Sequence, residues 1–161
     1  MGQYMVEMGM DMAAEYGDQF LRMPEAQAVN EIGAVGLERM LDAIRSDLES
    51  VGITFDVWFR EASLYRDGQY EKAMDLLRKG GYLVQREGAT WFSSTSLGYE
   101  KDNVLIRRTG KPTYFASDAA YHYNKFLERH FDRVINILGA DHQGHVRFMK
   151  TVPHAIGVDA N

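Results

Sequence analysis

The sequence predicts an α/β chain. A mixed α+β unit over residues 1–100 precedes half of a doubly wound, mostly parallel sheet over residues 101–161. Three observations carry this reading. After Lys101, strand-like and helical patterns alternate. Leu37, Met40, Leu41, Ile44, Leu48 and Val51 form an apolar stripe at helical spacing. "YLVQREGATWF" has the pattern of a β-hairpin.

Taken in order, Met5, Met8, Met12 and Tyr16 predict a helix over residues 4–16, stopped by Gly17. The methionines, clustered at Met1, Met5, Met8, Met10 and Met12, supply a flexible apolar face. The Leu37–Val51 stripe predicts a second helix closed by Gly52. Glu38, Arg39, Asp42, Arg45 and Glu49 form its solvated face. "ITFDVWF", residues 53–59, is β-branched and aromatic and predicts a strand. "YEKAMDLLRKGGY" predicts a short helix with Ala73, Met74 and Leu77 inward and Gly80-Gly81 as its stop. The hairpin runs from Tyr82 to Gln85, turns at Arg86-Glu87-Gly88 and returns from Ala89 to Phe92. "NVLIRR" is a strand, "TGKP" a turn and "TYFA" a further strand. Ser117 or Asp118 then begins a helix reaching about His130. Val134 to Leu138 reads as a buried strand ending in glycine, and a final helix starts near His145.

The 161 residues are 45% hydrophobic and 25% charged, a composition with enough apolar material for a real core. The formal net charge of −5 argues against a surface that grips nucleic acid throughout; any such contact is local or belongs to other parts of a larger protein. The absence of cysteine excludes disulfides and thiolate metal ligands and fits a reducing, cytoplasmic setting. No apolar run approaches the roughly 20 residues of a membrane span, so no membrane partner is expected. The first residues lack the basic segment of a signal peptide.

Open α/β sheets bind ligands at the carboxyl ends of their strands. Two such ends are readable, "TYFASD" and "INILGADHQGH". Side by side, they bring Tyr114, Asp118, Asp141, His142 and His145 to one crevice. Asp118, read in a first helical turn, would stay ionised there and bind a cation. Ser117-Asp118 also reads as a helix N-cap pair, and the two roles are compatible. Tyr114 reads equally as a strand residue packed on a helix. Asp141, His142 and His145 are metal-ligand types. Their H-x-x-H spacing places two imidazoles poorly on one helical face and lacks the glutamate of H-E-x-x-H, so no metal is expected. G-x-G-x-x-G, Walker A and G-x-S-x-G patterns are all absent.

"FDVWFREASLY", "GATWFSSTSLGYEKDNVLIRRTGKPTYFASDAAYHYNKF" and "FDRVINILGADHQGH" together resemble arginyl-tRNA synthetase, a class I aminoacyl-tRNA synthetase. The resemblance runs from "GQYMVEMG" to "GADHQGHVRFMK", with the motifs in the family's order. It implies the activation of arginine with ATP and magnesium and transfer of arginine to its tRNA. It also implies a Rossmann-type catalytic domain whose inserted connective segment corresponds to residues 1–100, with residues 101–161 as the second Rossmann half. Residue by residue, Tyr114 and Asp118 match the family's arginine-holding "Y-x-x-x-D". Glu61 matches a glutamate facing the guanidinium. His142 matches a position beside the substrate amino acid, and Gly139 with His142 falls on the adenosine side. Without the resemblance, Glu61 reads as a solvated strand-end charge. A guanidinium is planar, permanently charged and matched to carboxylates, so two such acceptors can reject lysine, whose ammonium is a point charge.

The family's His-Ile-Gly-His and Lys-Met-Ser-Lys signatures do not occur in the sequence. The chain is therefore expected to be an internal stretch of the enzyme, inactive in isolation, with no tightly bound cofactor. An uncovered sheet edge is expected to promote self-association. The alternative reading is a non-catalytic arginine-binding module or an interaction domain. Tyr121 is expected to pack, and His122 and His145 carry no assigned role.

Overall fold

A computed structural model describes residues 2–99 and 101–158. The chain divides into two compact units, Met1–Trp58 and Phe59–Asn161. The change in sequence character near residue 100 lies inside the second unit, and Glu100 and Met1 lie outside the described residues.

The first unit is helical. Helix α1, Gln3–Tyr16, ends where Gly17 takes a φ of 52° and donates its N–H to the Ala13 carbonyl. Only a residue tolerant of positive φ stops a helix this way without strain. A 3-10 turn, Phe20–Arg22, leads to α2, Glu25–Ser50. This helix starts well before the apolar stripe that announces it, just after Pro24, whose fixed φ suits a helix start. Met40, Leu41 and Leu48 are half-buried, while Leu37 and Ile44 stay exposed. The Arg39 guanidinium pairs with Glu15 at 2.5 Å, linking α2 to α1.

The second unit contains α3, Ala62–Arg66, and α4, Gln69–Lys79. Strands β1, Leu83–Arg86, β2, Ala89–Phe92, and β3, Asn103–Ile106, follow. Helix α5, Tyr114–Tyr123, runs on into a π-helical turn, Asn124–Glu128, and α6 spans Gln143–Ala155. Helix α4 stops as its glycines predict. Gly81 has a φ of 77°. Its N–H reaches the Arg78 carbonyl and that of Tyr82 reaches Leu77, satisfying two terminal carbonyls. The predicted hairpin forms, but Arg86 belongs to β1 and pairs with Ala89, so the loop is only Glu87-Gly88, at φ of 52° and 74°.

The core is assembled around α5. Ala116, Ala119 and Ala120 are fully buried, and their small side chains admit close approach of the neighbouring elements. Leu64, Leu77, Phe92, Leu105, Phe148 and Val152 fill the surrounding space from α3, α4, the sheet and α6. Burying a side chain of that size contributes roughly 1.5–3 kcal/mol.

Four expectations are corrected. The described sheet is antiparallel, in the order β1-β2-β3, and not the parallel Rossmann-type half. Residues 134–138 form no ladder; Ile135 is 71% exposed and Ile137 is 92% exposed. A strand of that composition reads as buried only where neighbours flank it. Residues 53–59 are not a strand either. Their aromatic residues serve packing instead: Phe55 meets Trp58 edge-on at 5.5 Å and Arg45 lies over the Trp58 ring at 5.1 Å. "TYFA" is the N-cap and first turn of α5 rather than a strand. Thr113 alone keeps extended backbone, and burial of alanines at helical spacing overrides the β-propensity of Tyr114 and Phe115.

Asp102 ties the start of β3 to the hairpin. It is 7% exposed, accepts hydrogen bonds from the Thr95 N–H and hydroxyl at 3.0 and 2.9 Å, and pairs with Arg86 at 2.7 Å. Burial opposes its ionisation, but the Thr95 bonds and Arg86 outweigh this and hold its carboxyl below the usual range. A depressed carboxylate contributes stability above its unfolded value of 3.8, lost as pH falls further. Asp102→Asn should cost about 2 kcal/mol at neutral pH, read as a lower thermal midpoint. The difference from wild type should narrow in acid below about pH 4.

Candidate functional site

Residues four apart on a helix share a face, so Tyr114, Asp118 and His122 project along one side of α5. The opposite, alanine-rich side is buried in the core. The helix is anchored by Thr113, whose N–H bonds the Leu105 carbonyl at 2.8 Å and whose hydroxyl bonds that of Val104 at 2.6 Å. Ser117 adds a lateral tie, its hydroxyl lying 2.7 Å from that of Tyr65 on α3. Asp118 therefore stands in the second turn of α5. It does not cap the helix, and Ser117 is a buried tie rather than a cap.

Helix α6 supplies the partner. The Nε2–H of His145 donates to Asp118 Oδ2 at 2.6 Å. The His145 ring is held by aromatic neighbours, with centroids at 4.9 Å from Phe115, 5.2 Å from Tyr114 and 5.6 Å from Phe148. Tyr114, Phe115, His145 and the Asp118 carboxylate border a cavity of about 860 Å³. Asp141 and His142 also line it, as do Lys101 and Asn103 at the start of β3. A half-exposed carboxylate with aromatic walls can receive a cation carried on an apolar stem.

Tyr114, Asp118 and His142 line this one cavity. Tyr114 is 62% exposed, with its ring 4.3 Å from that of Phe115. His142 is exposed, and its Nε2 lies 3.7 Å from Asp141 Oδ2. Gly139 precedes the 3-10 turn Ala140–His142, and its carbonyl accepts the His142 N–H at 3.0 Å. A side chain there would meet Asp141 Oδ1 at 2.6 Å. Glu61 stands apart: it begins α3, exposed, and is not among the residues lining the cavity. Among the described residues, no three or more His, Asp or Glu side chains are grouped to hold a metal ion.

Two histidines gain places that the pattern had left open. His145 is the partner of Asp118, and its spacing from Asp141 and His142 put it near the crevice without naming that bond. His122 is buried, and its Nδ1–H donates to the Asp118 carbonyl at 2.8 Å. Lys101 and Asn103 were not anticipated; a charged residue before a strand carries no signal of its own. Tyr121 packs as expected, its ring stacked on Phe59 at 4.5 Å with Lys125 over it at 4.1 Å. Burial lowers the Lys125 ammonium below its ordinary range, against the attraction of Asp118.

Burial likewise pushes His122 below its ordinary value of 6.5, with the bond to Asp118 opposing. The folded chain keeps this imidazole neutral at a pH where the unfolded chain binds a proton. Its contribution to stability is complete above about pH 6.5 and is lost as pH falls below it. Thermal unfolding between about pH 7.5 and pH 5 should show a falling midpoint. His122→Asn should be less stable at the upper end and decline less steeply; an unchanged slope would contradict this role.

The sequence family described as tRNA synthetases class I (R), catalytic domain, matches residues 19–160. An arginine–tRNA ligase of Dehalococcoides mccartyi is 56% identical over 158 residues, covering 98% of this chain and 28% of that protein. The arginine–tRNA ligase of Carboxydothermus hydrogenoformans is 47% identical over the same shares, and that of Bacillus subtilis 42%. A solved structure from Campylobacter jejuni, proposed as an arginyl tRNA synthetase, superposes with a TM-score of 0.86 at 31% identity. It is covered over 34% of its length and covers 98% of this chain. The chain thus spans only about a third or less of these relatives.

Proposed function

This chain belongs to the family of class I tRNA synthetases (R), catalytic domain, and from that membership we propose that it is a catalytic-domain stretch of an arginine–tRNA ligase. The parent enzyme joins the arginine carboxylate to the α-phosphate of ATP, with magnesium, and releases pyrophosphate. It then passes the arginyl group to the 3′ end of its tRNA in the cytoplasm. The observation that carries the reading is the carboxylate of Asp118 in an aromatic-walled cavity, one helical turn from Tyr114.

In this reading Asp118 takes the guanidinium and Tyr114 packs along the aliphatic stem. A guanidinium presents parallel donors to a carboxylate, whereas lysine leaves acceptor positions unmet. An unmet buried acceptor costs about 1–3 kcal/mol, which is how such a pocket rejects lysine without a second, editing site. His142 borders the same cavity on the side toward Gly139, where adenosine would lie. Glu61 joins the pocket only if the exposed start of α3 is brought toward α5. Residues 1–100 are read as the connective segment and 101–161 as the second half of the Rossmann-type domain. The exposed Ile135 and Ile137 support an apolar surface that other chain, or a second copy, would cover.

The test is arginine-dependent exchange of pyrophosphate into ATP. The full-length protein carrying this stretch should support it with arginine and not with lysine. Asp118→Asn should lower kcat/KM for arginine by about a hundredfold. The isolated 161-residue chain should give no exchange, since it lacks the family's two signature stretches, whose charges act on the reacting phosphate. Robust exchange by the isolated chain, or an indifferent Asp118→Asn, would contradict the reading.

A further inference from the structure

We propose that His145 is a positioning residue for the arginine-binding carboxylate of Asp118, an inference that rests on the arginine-pocket reading above. A carboxylate at the end of a short side chain is free to turn about its last torsion. Here one oxygen is fixed. His145 Nε2 lies 2.6 Å from Asp118 Oδ2, the distance of a short, charge-assisted bond. With Oδ2 fixed, the carboxylate plane is fixed, and Oδ1 has one direction left. Among the described residues Oδ1 takes no hydrogen bond, and both residues line the same cavity.

His145 is itself held. Its side chain is 11% exposed, against 28% for Asp118, so the histidine is the more enclosed partner. Phe115 stacks on it at 27°, and Tyr114 and Phe148 lie tilted at its sides. Phe148 is in turn buried against Phe92 of the sheet, with ring centroids at 5.7 Å. The chain of support runs from core to Phe148, to the His145 ring, to Asp118 Oδ2, and so to the oxygen offered to the ligand. Helices α5 and α6 are thereby locked together at the binding residue, and the first turn of α6 acts on the ligand through Asp118. A pocket that must separate a planar fork from a point charge depends on acceptor direction, which is what this bond sets.

The test compares two amides at position 145 in the full-length protein. Glutamine carries its amide nitrogen to the place of the histidine Nε2, and asparagine falls short of it. Both lose the ring and keep an amide, so the contrast between them is in reach to Asp118. Equilibrium titration with arginine should show His145→Asn weakened by about tenfold, the effect of one hydrogen bond to a charged group. His145→Gln should bind within about threefold of wild type. In pyrophosphate exchange the asparagine variant should raise KM for arginine, with KM for ATP and kcat little changed. Equal losses in both variants would assign His145 to ring packing and overturn the proposal, as would two variants that bind like wild type. Asp118→Asn is titrated alongside. If it binds arginine normally, the pocket reading fails and this inference with it. If it loses binding while His145→Asn does not, only the inference fails.

Discussion

The packing of α5 is the constraint on which the second unit depends. Ala116, Ala119 and Ala120 are fully buried, and their lack of bulk lets α3, α4, β3 and α6 all close on one helix. A larger side chain at any of the three would push a neighbour outward, since a close-packed interior has no room to absorb it. The other side of the same helix carries Tyr114 and Asp118 toward the cavity, with His122 buried one turn further on. One helix thus serves as the centre of the core and as the floor of the cavity, so the carboxylate inherits the rigidity of the best-packed element in the unit.

That arrangement explains why the polar groups of the site are spread across so few contacts. The backbone carbonyl of Asp118 is taken by His122 from below, and one side-chain oxygen is taken by His145 from α6. His122 is buried and kept neutral, so it adds no competing positive charge beneath the carboxylate. In the proposed arginine pocket, the fold gives the carboxylate its direction. On the proposed reading, selection of a planar cation follows from acceptor direction more than from net charge.

The legible parts of the fold were those decided by local turn chemistry. Gly17, Gly81 and the Glu87-Gly88 pair each adopt positive φ, and each marks an element end that the sequence announces. The helix closed by Gly80-Gly81 was legible for the same reason, and its apolar side chains Ala73, Met74 and Leu77 are buried. What misled were short aromatic and β-branched runs. Residues 53–59 and "TYFA" have strand composition, yet their rings pack on helices or sit on one. Composition records that a segment meets an apolar surface, not whether its backbone has a ladder to join. Residues 134–138 fail differently, because a parallel strand exists only where strands flank it, and none does among the described residues. In the site, the grouping of Tyr114, Asp118, Asp141, His142 and His145 followed from reading two segment ends as neighbours. The bond between Asp118 and His145 did not, since its partners stand 27 residues apart on two helices and no periodicity links them.

The most direct measurement is a crystal structure of the full-length protein with arginine bound. The account predicts the guanidinium within hydrogen-bonding distance of Asp118 Oδ1, the aliphatic stem against Tyr114, and the His145 bond to Oδ2 intact. A guanidinium seated elsewhere, or a His145 ring turned away from Asp118 in the arginine complex, would contradict it.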